Sequence, residues 1–96
     1  MSYYDKKNYN FIGFERSHRK EKKYNAIIRN IQTGRLTRLP FGDSSMQQYK
    51  DNTGLGIFSK KDHKDDKRRE SYRKRHNSFL RAGYWSPGYF SLNYMW

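Results

Sequence analysis

Apolar and polar positions alternate most legibly between Tyr24 and Phe41. Tyr24-Asn25-Ala26-Ile27-Ile28-Arg29 is a short β-rich run, Asn30-Ile31-Gln32-Thr33-Gly34 supplies turn chemistry, and Arg35-Leu36-Thr37-Arg38-Leu39 alternates again. This pattern predicts a β-hairpin over about 24–41. Leu36 and Leu39 do not share one face of a strict two-residue period, so a bulge or an early strand end before Pro40 is expected, because proline removes a ladder donor. Arg29, Arg35 and Arg38 would then decorate the exposed surface of the hairpin.

Ahead of the hairpin, Tyr3, Tyr4, Tyr9, Phe11 and Phe14 are scattered among Asn, Gly and charged residues. No helical or strand period persists there, which predicts an extended basic and aromatic arm over 1–22. After the hairpin, Asp43-Ser44-Ser45 offers an N-cap for a short helix over about 44–52, closed by Asn52-Thr53-Gly54. A longer helix is expected over about 62–82, with Asp65 and Asp66 in its first turn, where the helix dipole favours anions, and with its end before Gly83. On it, Tyr72, Phe79 and Leu80 fall on the side expected to be buried, while Lys67, Arg68, Lys74, Arg75 and Arg81 point outward. Ser86-Pro87 is a helix-start signal for the tail over 87–96, although Phe90, Leu92, Tyr94 and Trp96 also alternate as a strand would. The expected fold class is therefore α+β, an arm (1–22) followed by a hairpin-helix module (23–96).

Composition narrows what such a fold can be for. The 96 residues make at most one domain, and only 33% are hydrophobic, nine tyrosines included. A formal charge of +12 repels itself in a compact monomer and is better tolerated against an acidic partner. Lysine and arginine concentrate in two places. Residues 16–23 hold Arg16, Arg19, Lys20, Lys22 and Lys23 against Glu21, and residues 60–76 hold nine Lys/Arg against four Asp/Glu. Clustered cations neutralise phosphates with release of counterions and little sequence preference, so Arg16, Arg19, Lys20, Lys22, Lys23, Lys67, Arg68, Arg73, Lys74 and Arg75 are the predicted polyanion-binding residues. Tyr84, Trp85, Tyr89, Phe90, Tyr94 and Trp96 crowd the last thirteen positions. They are predicted to be protein-interface anchors, since a few buried aromatics dominate interface energetics; packing into the chain's own core is the alternative.

The absence of cysteine excludes disulfide staples and thiolate zinc sites. No apolar run approaches the roughly 18 residues of a membrane span, and Met1-Ser2-Tyr3-Tyr4-Asp5-Lys6-Lys7 lacks the apolar stretch of a signal peptide. A soluble protein with no membrane partner is expected. Asp62, His63 and Asp66, with His76 farther on, are the only set resembling metal ligands. The hairpin offers no His, Asp or Glu to converge on them, and helix capping with local ion pairing explains the acids more simply. No phosphate loop or nucleophile motif occurs, so neither enzymatic activity nor a cofactor is expected.

The run Lys23-Tyr24-Asn25-Ala26-Ile27-Ile28-Arg29-Asn30, followed by Thr33-Gly34-Arg35, Pro40-Phe41-Gly42-Asp43, Gln48-Tyr49-Lys50-Asp51, Thr53-Gly54-Leu55, Asp62-His63, Lys67-Arg68-Arg69, Tyr72-Arg73, Arg75-His76, Ser86-Pro87-Gly88-Tyr89-Phe90-Ser91 and Trp96, resembles a family of small basic proteins of giant DNA viruses and large tailed phages. The resemblance covers residues 23–96 and implies a viral origin. Two functions follow as expectations. One is a minor virion structural protein, a clamp or cement whose aromatic ends dock on larger capsid proteins while its basic surface faces genome or an acidic protein. It would reside in the virion, and in the host cell interior during assembly. The other is an accessory protein that binds nucleic acid non-specifically through Lys and Arg.

Overall fold

The computed structural model describes residues 4–79 and 83–96. The expected α+β class holds. A three-stranded antiparallel sheet, in the order β2-β3-β4, is built from β2 (Tyr9–Arg16), β3 (Lys22–Asn30) and β4 (Leu36–Asp43). A two-stranded sheet pairs β1 (Tyr4–Asp5) with β5 (Tyr84–Trp85). Two helices follow the large sheet in sequence: α1 (Asp66–Arg75), and α2 (Pro87–Met95), which lies against β4.

The hairpin forms as its alternation predicts. Asn30 Oδ1 accepts from the backbone N–H groups of Gln32 and Thr33, and Gly34, at φ 75°, supplies the left-handed residue the turn needs. No bulge interrupts β3 and β4, which keep one register from Arg29↔Leu36 to Lys22↔Asp43. The strand also passes through Pro40, because β4 is an edge strand on which a missing N–H is tolerated. Leu36 simply faces outward, 51% exposed, while Leu39 and Phe41 are buried.

The bulge lies elsewhere, in the segment expected to be a free arm. The register of β2 on β3 shifts between Phe11 and Gly13, leaving Ile12 as an extra residue, 49% exposed. The shift turns Phe14 onto the same face as Phe11, where they sit opposite Ala26 and Ile28. Residues 9–16 are thus an integral strand, and the expected boundary at 22/23 runs through the sheet.

The expected helix over 44–52 is absent. Asp43 Oδ1 accepts from the backbone and hydroxyl of Ser45 at 2.9 and 2.7 Å and closes a local turn instead of capping a helix. Beyond it the backbone of Gln48 bridges to 61–63, and the Lys50 and Asn52 N–H groups donate to Met95 and Tyr94 carbonyls at 3.1 and 2.8 Å. Those carbonyls close α2, whose last turn leaves them without helical donors. The 62–82 helix is shorter than expected. Lys64 sits at φ 54°, Asp65 is the N-cap, accepting from Lys67 and Arg68, and α1 ends at Arg75 before a 3-10 turn over Asn77–Phe79. Leu80 and Arg81 lie outside the described residues. The tail is helical: Ser86 Oγ accepts from Tyr89 N at 3.1 Å and Pro87 opens the first turn.

The core lies between the sheet and α2. Tyr24, Ala26, Ile28, Leu39 and Phe41 meet Phe90 and Met95 there, and Phe11 and Phe14 pack against them. The Phe90 ring lies 5.3 Å from Phe11, 5.9 Å from Phe41 and 5.4 Å from Trp85. Aromatics from both halves of the chain thus form a single cluster.

Candidate polyanion-binding site

Helix α1 carries Lys67, Arg68, Arg69, Arg73, Lys74 and Arg75 against only Asp66 and Glu70, and buries no residue completely. Propensity and the Asp65 cap start it, but side-chain docking orients it. Tyr72 stacks on Trp96 with centroids 4.2 Å apart and planes 6° from parallel, and shares a 3.1 Å hydrogen bond with Ser91. Arg69 Nε donates to the Trp96 carbonyl at 2.7 Å, and Tyr49 donates to Asp66 at 2.9 Å. Among the described residues the side-chain ion pairs are Arg19–Glu21 and Arg38–Glu15, neither of them on α1.

One face of α1 forms a wall of a cleft of about 440 Å³. Lys67, Ser71 and Arg75, with Arg68 and Tyr72 beside them, recur at helical spacing and line it. Ser91, Met95 and Trp96 form the opposite wall, Met46, Gln47 and Gln48 close an end, and Lys23, Gly42 and Asp43, the one carboxylate among them, complete the lining. Arg68 is steadied by a 2.9 Å bond from Nη1 to Gln47 Oε1.

Lys23 is the unexpected member, because it is a buried cation, 2% exposed, and not a surface residue of the basic arm. Its stem lies across Gly42, where a Cβ would stand 3.3 Å from Lys23 Cβ and Cδ on a backbone at φ 77°. Glycine is the residue that fits both demands. The ammonium donates to Gln48 Oε1. The other end of that amide donates to Phe58 O at 2.8 Å and Asp62 Oδ1 at 2.5 Å, which fixes its orientation. Burial, reinforced by the nearby Lys61, pushes the Lys23 amine down to about 8, against the opposing pull of Asp43, Asp51 and Asp62. Asp51 accepts from Tyr24 and Thr53, and Asp62 from Gln48 and the Asp51 N–H, so both carboxylates are already engaged.

The structure therefore brings Lys23, Lys67, Arg68 and Arg75 together from two distant stretches of sequence. Arg16, Arg19, Lys20 and Lys22 gather around a separate, smaller hollow of about 270 Å³ at the β2–β3 turn. Arg16 lies 5.8 Å over the Phe58 ring, and Arg19 pairs with Glu21 at 2.8 Å. Arg73 and Lys74 line a shallow depression farther round α1. Gln48, Gly42, Ser71, Ser91 and Met95 were not legible as site residues; a buried glutamine in a polar loop leaves no local signal.

The expected interface aromatics are folded onto the chain itself. Phe90 is fully buried and presents no surface to a partner. Trp85, Tyr89, Tyr94 and Trp96 are half-buried against the core, and Tyr84 is half-buried in β5. Tyr72 covers one side of Trp96 and His63 approaches it at 5.1 Å. Of the residues weighed as metal ligands, Asp62 accepts from Gln48, His63 Nδ1 from the Asp65 N–H and Asp66 from Tyr49. Among the described residues, no group of three His, Cys, Asp or Glu is placed to hold a metal ion, and no helix is long and apolar enough to cross a membrane. Comparison with protein-family models, curated proteins and solved structures finds no match for this chain.

Proposed function

We propose that the protein binds nucleic acid non-specifically through the cationic surface of α1 and the rim of the adjoining cleft. The observation that carries this reading is a helix with six cations, no side-chain ion pair among the described residues and no fully buried residue. Such an element contributes little to a core, and apart from Arg69, bonded to Trp96, and Arg68, steadied by Gln47, its cations are available to neutralise phosphates. A virion clamp that docks by aromatic anchors is the less favoured function, because the aromatics of both chain ends are spent on a common core. A place beside a packaged genome stays compatible with the cationic surface.

The test is binding of fluorescently labelled duplexes of unrelated sequence across about 50–200 mM salt. Affinity should fall steeply with salt, and each lost phosphate contact should reduce the log–log slope by about 0.9. Replacing Lys67, Arg68, Arg73 and Lys74 by Ala should flatten it by about 2–4. Affinity insensitive to salt, or a strong preference for one sequence, would overturn the reading.

A further inference from the structure

We propose that the cleft between α1 and the end of α2 is a site for a phosphomonoester, the terminal phosphate of a nucleic-acid strand or of a free nucleotide, with Lys23 as its buried cation. As a nucleic-acid end site it rests on the function proposed above; as an anion site it stands on the cleft itself.

Three features converge. First, Lys23 is 2% exposed and lines the cleft, and its ammonium has a neutral amide oxygen as its hydrogen-bond partner. An ammonium has three donors, of which the bond to Gln48 uses one, and a buried charge is stabilised further where an anion completes its shell. Asp43, which also lines the cleft, and Asp51 and Asp62 oppose part of that charge, but both oxygens of Asp51 are taken by Tyr24 and Thr53, and one oxygen each of Asp43 and Asp62 by Ser45 and Gln48. Lys61 adds positive charge nearby. Second, Lys67, Arg68 and Arg75 line the same space without an opposing carboxylate in ion-pair contact. A dianionic phosphomonoester gains more from such a cluster than the single charge of a backbone phosphodiester. Third, the volume of about 440 Å³ lies within the roughly 300–1,000 Å³ of small-molecule sites. Met46 and Met95 offer apolar wall to the uncharged part of the ligand. Tyr72 and Trp96 spend their facing surfaces on each other, so the site selects for phosphate and not for a sandwiched base.

The full chain should be titrated with 5′-phosphorylated and 5′-hydroxyl strands of one sequence, with a nucleoside 5′-monophosphate, and with inorganic phosphate. The Lys23 ε-methylene resonance reports occupancy directly. A strand-end site predicts that the phosphorylated strand binds about tenfold tighter than its hydroxyl counterpart and shifts Lys23. A free-nucleotide site predicts the Lys23 shift with the monophosphate and equal affinity for the two strands. Lys23→Met, which lacks the reporting resonance, should abolish the preference for the phosphorylated strand and the binding of monophosphate followed by calorimetry. So should Ser71→Phe, which fills the cleft from an exposed helix position and removes no cation. Equal affinity for both strands with no Lys23 shift from monophosphate or inorganic phosphate would overturn the proposal. Failure of hydroxyl-ended duplex to bind wild type would instead refute the nucleic-acid reading, leaving the response to inorganic phosphate to decide the cleft.

Discussion

Replacing Lys23 by Met isolates the energetic consequence of burying an ammonium. Met retains most of the unbranched stem across Gly42 while removing the charge. In the unfolded chain the amine titrates at its ordinary 10.5, whereas burial lowers it to about 8 in the folded chain. Between those values the unfolded chain binds more protons, so the stability of the wild type must rise with pH. Integrating from pH 7 to pH 9.5 gives a gain of about 2 kcal/mol for this single group. The range should stop there, because Tyr24, raised by burial and by its bond to Asp51, reverses the trend near and above pH 10. Loss of the hydrogen bond to Gln48 costs Lys23→Met a pH-independent increment of about 1–3 kcal/mol, which cancels when curves are compared across pH. Urea unfolding at half-unit pH steps therefore predicts a rising wild-type curve and a flatter variant curve, their difference changing by about 2 kcal/mol. A constant difference from pH 7 to 9.5 would show that Lys23 is not held as a buried cation.

Phe90→Ala should destabilise the fold by about 3–5 kcal/mol, because the ring is fully buried among Phe11, Phe14, Phe41 and Trp85; a loss below about 1 kcal/mol in urea unfolding would mean that α2 does not seal the core. His63 is held below its ordinary 6.5 by burial and by Arg68, and protonating it would turn the acceptor of the Asp65 N–H into a donor. The unfolded chain takes up that proton first, so stability should fall as pH drops below about 6.5. His63→Gln should lack this part of the acid loss, and an acid limb identical to that of the wild type would refute the assignment.

Features fixed by neighbouring residues were legible in the sequence. Asn30 and Gly34 close the hairpin with their own side-chain and backbone preferences, and Ser86-Pro87 selects helix over strand in the tail. Features that depend on distant partners were not. The extra residue at Ile12 breaks the alternation of Tyr9, Phe11 and Phe14, so a genuine strand reads as aperiodic. Asp43-Ser44-Ser45 has cap chemistry, but the backbone after it satisfies carbonyls of Tyr94 and Met95, more than forty residues away in sequence. For the site, the cations of α1 were legible from composition, whereas the burial of Lys23 depends on Gly42, Gln48 and Asp62, three positions with no local relation to it.

A scarcity of aliphatic residues explains why the two chain ends cannot be independent of the fold. With 33% hydrophobic residues and a charge of +12, sufficient apolar area must come from rings. Phe11 and Phe14 from β2, Phe41 from β4, and Trp85, Phe90 and Tyr94 from the tail supply it together. β1 and β5 then tie the ends directly, through Tyr4↔Trp85 and the 3.0 Å bond from Trp85 Nε1 to Tyr9 O. The charged helix escapes this demand. Stacking of Tyr72 on Trp96, at 4.2 Å, with His76 tilted against it at 4.4 Å, helps orient α1 without burying any of its residues completely. The fold thus separates its two surplus residue types, aromatics inward from both ends and cations outward on a helix held by the Tyr72 stack and a few polar bonds. That separation leaves charge as the principal property that the face of α1 presents.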